Sequence, residues 1–97
     1  MKLRAYETAV TIYQSLKKEN LRGAVKDQII RASMSVCLNL AEGNNRDGVK
    51  DRKRFFNMAL TSHREVQALI KMEDLKSYTE LADKLGAQLY QLHKNCY

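Results

Sequence analysis

The sequence has no proline, only four glycines and only two cysteines in 97 residues. Without proline, nothing obliges a helix to stop. With so few glycines, tight turns are scarce. A β-sandwich or barrel needs a turn signal about every 8–12 residues, so this composition argues against one. Cys37 and Cys96 are too few for a disulfide framework, and a reduced, cytoplasmic protein is expected. No apolar run approaches the ~20 residues of a membrane span, so no membrane partner is expected. The opening stretch MKLRAYETAVTIYQSL has a basic start but no unbroken apolar core, so it does not read as a secretory leader. Hydrophobic residues make up 44% of the chain and charged residues 29%, a globular composition. One domain over residues 1–97 is expected. A chain of this size buries only about 60–68% of its unfolded surface, so a partner subunit would help it.

Helical spacing recurs along the whole chain. It predicts four helices, over about 3–18, 24–42, 49–72 and 77–95. The first carries Tyr6, Ala9, Val10, Ile12, Tyr13 and Leu16 on one face. The fourth carries Tyr78, Leu81, Ala82, Leu85, Leu89, Leu92 and Cys96, and Ser77 with Glu80 is a capping-box signature at its start. The second is apolar over roughly two-thirds of its circumference. One stripe is Val25, Ile29, Ala32, Val36 and Leu40; another is Ile30, Met34, Cys37, Leu38 and Ala41. The second stripe has two readings: a central helix touching several neighbours of its own chain, or a subunit interface. The small size of the chain favours the interface. The remaining face holds Gln28, Arg31, Ser35, Asn39 and Glu42, and Gly43 suits a left-handed helix end. In the third helix the spacing puts Phe55, Ala59, Ser62, Val66, Leu69 and Ile70 on the core stripe, with Phe56 off it as a candidate interface or stacking surface. Short connections predict an antiparallel, up-down-up-down, all-α four-helix bundle.

Charge is uneven. Seventeen Lys and Arg against eleven Asp and Glu leave +6. Residues 50–64 hold five bases and one acid, a net of +4, while residues 65–97 hold four bases and five acids. Clustered bases suit a phosphate polyanion, because each neutralised phosphate releases counterions. Arg46, Lys50, Arg52, Lys53, Arg54 and Arg64 are the candidate nucleic-acid contacts. A solvated helix face is the plainer reading of the same residues. Single-stranded readers interleave aromatics with bases, and Phe55 and Phe56 follow Arg54 directly. A core role is the simpler reading for both.

Catalytic and metal patterns are missing. There is no Gly-x-Gly-x-x-Gly, no Walker-type loop and no His-Glu-x-x-His. Neither His63 nor His93 has a Glu three residues before it, so the di-iron pattern of helical bundles is absent. His93 and Cys96 are two ligand types at i, i+3, too few for a tetrahedral site. Cys37 sits among apolar residues and reads as an inert thiol. Glu42 and Glu65 are the carboxylates expected to face inward, paired with Arg31 or Arg46. No cofactor, no metal and no enzymatic activity are expected.

The stretch from Gln28 to Gly43, with Arg31, Ala32, Ser35, Asn39, Ala41, Glu42 and Gly43 in place, resembles the signature of a bacterial four-helix-bundle family encoded by intervening sequences in large-subunit ribosomal RNA genes. Arg46, Phe55, Ala59, Ser62 and Glu65 fit the family's downstream pattern. The similarity spans about residues 5–92. Cys37 departs from it, standing where the family often has proline. The chain is also shorter than many members at its C-terminal end. The resemblance implies an antiparallel bundle assembling into a ring, typically a pentamer, with Arg31, Ser35, Asn39, Glu42, Gly43 and Glu65 as structural motif residues. It is similar also to accessory proteins of diversity-generating retroelements, whose basic pentamer binds nucleic acid and a reverse transcriptase. The expectation is therefore a non-enzymatic homo-oligomer that holds RNA or DNA through phosphates. The alternative is a protein-interaction scaffold or accessory subunit without a nucleic-acid role.

Overall fold

Four α-helices account for nearly all of the chain in a computed structural model that describes residues 3–96. They are α1 (Arg4–Lys17), α2 (Gly23–Asn44), α3 (Val49–Met72) and α4 (Thr79–Lys94), with a 3-10 turn over Lys76–Tyr78 before α4. No strand occurs among the described residues. The expected helices are present, with ends shifted by one or two residues, as helix ends commonly are. The helices pack as a bundle measuring 40 × 21 × 20 Å. At 1.5 Å per residue the 24 residues of α3 nearly span its long axis.

Each helix buries one stripe. Ile12 and Leu16 from α1, Ile29 and Leu40 from α2, Val66 from α3 and Leu85 and Leu89 from α4 are almost wholly enclosed. Each such aliphatic side chain contributes about 1.5–3 kcal/mol by leaving water. Apolar burial at helical spacing is therefore what holds the bundle.

The α3 stripe is rotated from its expected position. Phe56, Ala59, Leu60, His63, Val66 and Ile70 are buried. Phe55, Ser62 and Leu69 sit half-buried at its edge. Phe56 thus fills the core, the simpler of its two expected roles, and Phe55, expected on the core stripe, lies at its edge. Gly43 explains the choice. It lies inside α2, not beyond its end, and has no left-handed backbone. A Cβ there would stand 2.7 Å from Phe56 Cε1 and 2.8 Å from Cδ1. The missing side chain at Gly43 is the space that Phe56 occupies, so α2 and α3 approach closely at this level. The helix runs on to Asn44, and Asn45 closes it in right-handed geometry.

The start of α4 also differs from expectation. Ser77 lies within the 3-10 turn, and no side chain caps α4, so the Ser77–Glu80 capping box is not formed. Instead α3 ends with Asp74 in the left-handed region at φ 56°. The Leu75 N–H donates to the Ile70 carbonyl at 2.9 Å and the Asp74 N–H to the Lys71 carbonyl at 3.2 Å. That pair of bonds is the Schellman arrangement, with aspartate where glycine is usual. The Tyr78 hydroxyl then donates to Glu19 Oε1 at 2.9 Å and ties this connection to the end of α1. Burial, reinforced by the Glu19 carboxylate, pushes the Tyr78 phenol up to about 12.

Candidate functional site

The polar face of α2 is largely a seam with α3. Ser35 and Ser62 share a hydrogen bond of 2.8 Å between their hydroxyls. The Asn39 amide donates to the Ser35 carbonyl at 2.9 Å and to its hydroxyl at 3.1 Å. The Gln28 amide donates to the Glu65 carboxylate. Small hydroxyl side chains at Ser35 and Ser62 let the two helices close together while staying hydrogen-bonded. Glu42 and Glu65 do not face inward; both are exposed. A carboxylate at the surface keeps its hydration, which the core would remove.

At the end of this seam lies a charged cluster. Arg46 pairs with Glu42 at 2.9 Å and with Asp51 at 3.7 Å. Arg54 pairs with Asp51 at 2.9 Å. Both guanidinium groups lie over the Phe55 ring, at 4.9 Å for Arg46 and 4.5 Å for Arg54. Phe55 is thus covered by cations, and neither phenylalanine is free for stacking. Arg52 turns toward the α2–α3 connection, where its Nη1 donates to the carbonyls of Asp47 at 2.7 Å and Arg46 at 3.5 Å. It ties down the turn's own carbonyl groups.

The six basic candidates therefore separate. Arg46, Arg52 and Arg54 hold partners within the chain. Lys50, Lys53 and Arg64 are exposed and make no ion pair among the described residues. On the helical wheel these three share one band of α3 with Asn57 and Lys71. That band lies outside the buried stripe, beside the edge of α3 that meets α4. There Gln67 donates to Asp83 at 3.4 Å, and Cys96 Sγ donates to the Val49 carbonyl at 3.7 Å.

α4 adds residues that sequence reasoning missed. Tyr90 is 51% exposed, and Lys94 Nζ stands 6.0 Å from its ring centre. Only their i, i+4 spacing could have drawn attention to them, and α4 as a whole carries no excess of base. His63 was also missed. It is 1% exposed in the middle of the bundle. Its Nε2 lies 2.7 Å from the Ala82 carbonyl and donates to it, and Nδ1 has no partner among the described residues. Burial lowers its pKa below the usual 6.5, against the opposing pull of the Ala82 carbonyl and Asp83.

The second stripe of α2 is graded. Cys37 packs into its own chain's core and is 8% exposed. Desolvation raises its thiol to about 11, so it stays protonated and unreactive near neutral pH. Ile30 and Ala41 are half-buried. Met34 and Leu38 are open, at 39% and 59%. Of the six motif residues, Ser35, Asn39 and Glu65 join the seam, Gly43 seats Phe56, Glu42 holds Arg46, and Arg31 is exposed.

No group of three or more His, Cys, Asp or Glu that could hold a metal occurs among the described residues. None of their helices is long and apolar enough to cross a membrane. A cavity of about 830 Å³ opens at one end of the bundle, between Leu3, Arg4, Phe56, Gln88 and Leu92.

The fold and its α2–α3 seam define a small, all-α, four-helix protein. The chain matches the family model described as "23S rRNA-intervening sequence protein" over residues 2–96, and it belongs to that family. No curated protein and no solved structure matches it.

Proposed function

We propose that this protein is a non-enzymatic, cytoplasmic, homo-oligomeric helical bundle that binds RNA or DNA through phosphates. The observation that carries the reading is the band formed by Lys50, Lys53 and Arg64. Three cations share one helix face, are exposed, and lack an acidic partner among the described residues. The formal charge of +6 adds a field favouring a polyanion. Arg46 and Arg52 serve the same end indirectly, by holding the α2–α3 turn from which α3 projects its first bases, and Arg54 by pairing with Asp51 in the first turn of α3. Changing Lys50, Lys53 and Arg64 together to Glu weakens binding to a mixed-sequence RNA or DNA on the order of 100-fold at low salt. Neutralising any one of these bases lowers the salt slope by about one. Wild-type protein that binds neither polymer at low salt sinks the reading.

An antiparallel order of α3 and α4 is supported by two contacts: Val49 with Cys96 and His63 with Ala82. Assembly into a ring, a pentamer by family resemblance, is supported by the open side chains of Met34 and Leu38 on one flank of α2. Large exposed apolar side chains in a row mark an interaction surface. Ile30 and Ala41 would border that interface, and Cys37 would back it from the core. Met34→Glu should leave helical content intact and lower the solution mass. The same flank supports the alternative, an accessory subunit docking another protein. A wild-type monomer by mass measurement would favour that reading over self-assembly.

A further inference from the structure

We infer that the flank shared by α3 and α4 is a platform for single-stranded nucleic acid, with Tyr90 stacking against an unpaired base and Lys53 and Lys94 holding the adjoining phosphates. This rests on the nucleic-acid reading above and names the strand form it selects. Three observations carry it. The first is register. Val49 meets Cys96, and His63 meets Ala82. Between these two points residue numbers rise along α3 as they fall along α4, which sets Tyr90 level with Phe55 and Lys94 level with Asp51, so Lys53 lies between the two levels, about 3 Å along the axis from each. The second is exposure. Tyr90 leaves 51% of its surface open, although a tyrosine at the edge of a small core would bury its ring readily. The third is charge. Lys94 lies over the ring at 6.0 Å, and Lys50 and Lys53 stand on the facing helix without acidic partners among the described residues.

Single-strand readers combine such a cationic track with an aromatic face, since every base has a π-surface and stacking needs no sequence. A duplex keeps its bases stacked inside and gives Tyr90 nothing to hold. Asp83 and Glu80 on α4 lie toward the opposite end of the bundle, and Asp83 is hydrogen-bonded by Gln67. The platform is therefore confined to the half holding Lys50, Lys53, Tyr90 and Lys94. The phenylalanines beside the bases in sequence cannot serve, because Phe56 is buried and Phe55 is covered by two guanidinium groups.

The test compares a fluorescently labelled 20-nucleotide RNA with its own duplex, using the full chain across a salt series. The expected result is tighter binding to the single strand. Tyr90→Ala should weaken single-strand binding about tenfold, leave duplex binding alone and keep the salt slope, because stacking releases no counterions. Tyr90→Phe should bind like wild type. Lys94→Gln should lower the slope by about one. Unchanged melting of Tyr90→Ala shows that the variant folds. Equal affinity for both strand forms, or equal losses on both from Tyr90→Ala, overturns the platform while leaving phosphate binding in place. Loss of all binding by wild type overturns both.

Discussion

Both flanks of α3 carry cations and use them differently. Toward α2, Arg46 and Arg54 are bound to Glu42, Asp51 and the Phe55 ring. Away from α2, Lys50, Lys53 and Arg64 face water without a carboxylate among the described residues. The first flank uses its cations to hold two helices and a turn together. The second leaves them available to a ligand. The charge of a segment therefore says little about its availability, which depends on the carboxylates and rings that the neighbouring helix brings within reach.

The sharpest way to break this contrast is to reverse one flank at a time. Lys50→Glu with Lys53→Glu and Arg64→Glu should cut nucleic-acid affinity on the order of 100-fold at low salt. Thermal stability should barely change. Arg46→Gln with Arg54→Gln should do the opposite, costing stability and changing affinity by less than about threefold. Paired melting curves and binding isotherms decide between the two patterns.

The next effect lies at the close approach of α2 and α3. Gly43→Ala places a methyl group against the buried Phe56 ring. Overpacking should cost about 1–3 kcal/mol, outweighing the helix propensity that alanine adds. Adding Phe56→Leu should recover part of the loss in urea unfolding, since it vacates the contested space. Additive losses in that double variant would mean that the two residues do not compete.

A third effect separates the core from both flanks. Burial holds His63 below its ordinary value of 6.5, while the unfolded chain keeps that value. As pH falls, the unfolded chain takes up the proton first. Stability that is complete above 6.5 is then lost as pH drops from 6.5 toward the lower folded value. Urea midpoints at a series of pH values should fall through this window, and His63→Gln should flatten it.

Smaller still is the Phe55 sandwich. Phe55→Leu removes two cation–π interactions and should cost about 1 kcal/mol in chemical unfolding. Glu42→Gln should be the mildest change, under about 0.5 kcal/mol, because Arg46 and Glu42 are both well exposed. A larger loss from Glu42→Gln would show that the cluster acts as a cooperative network.

Much of the fold was legible from apolar spacing. The stripes of α1 and α4, with Ile12, Leu16, Leu85 and Leu89 at their centres, stand where periodicity puts them. α3 was legible in extent but not in rotation. Phe55 and Phe56 are adjacent and equally apolar, and a wheel cannot say which one a neighbour will cover. Gly43, on another helix, decides it by leaving room for one ring. The same limit applied to Glu42 and Glu65, whose partners lie across a seam or a turn. At the candidate site the bases were visible as a cluster, but Tyr90 and Lys94 were not, because some forty residues separate them from Lys50 and Lys53.

Taken alone, the chain determined four helices, their lengths to within a turn, and an excess of positive charge around the start of α3. These are properties of residue order, since helical periodicity and net charge are summed along the backbone. Tertiary structure decided which phenylalanine enters the core, which cations are bound and which are open, and which aromatic rings are left exposed. Those outcomes depend on distances between helices, and a distance exists only once the helices have packed.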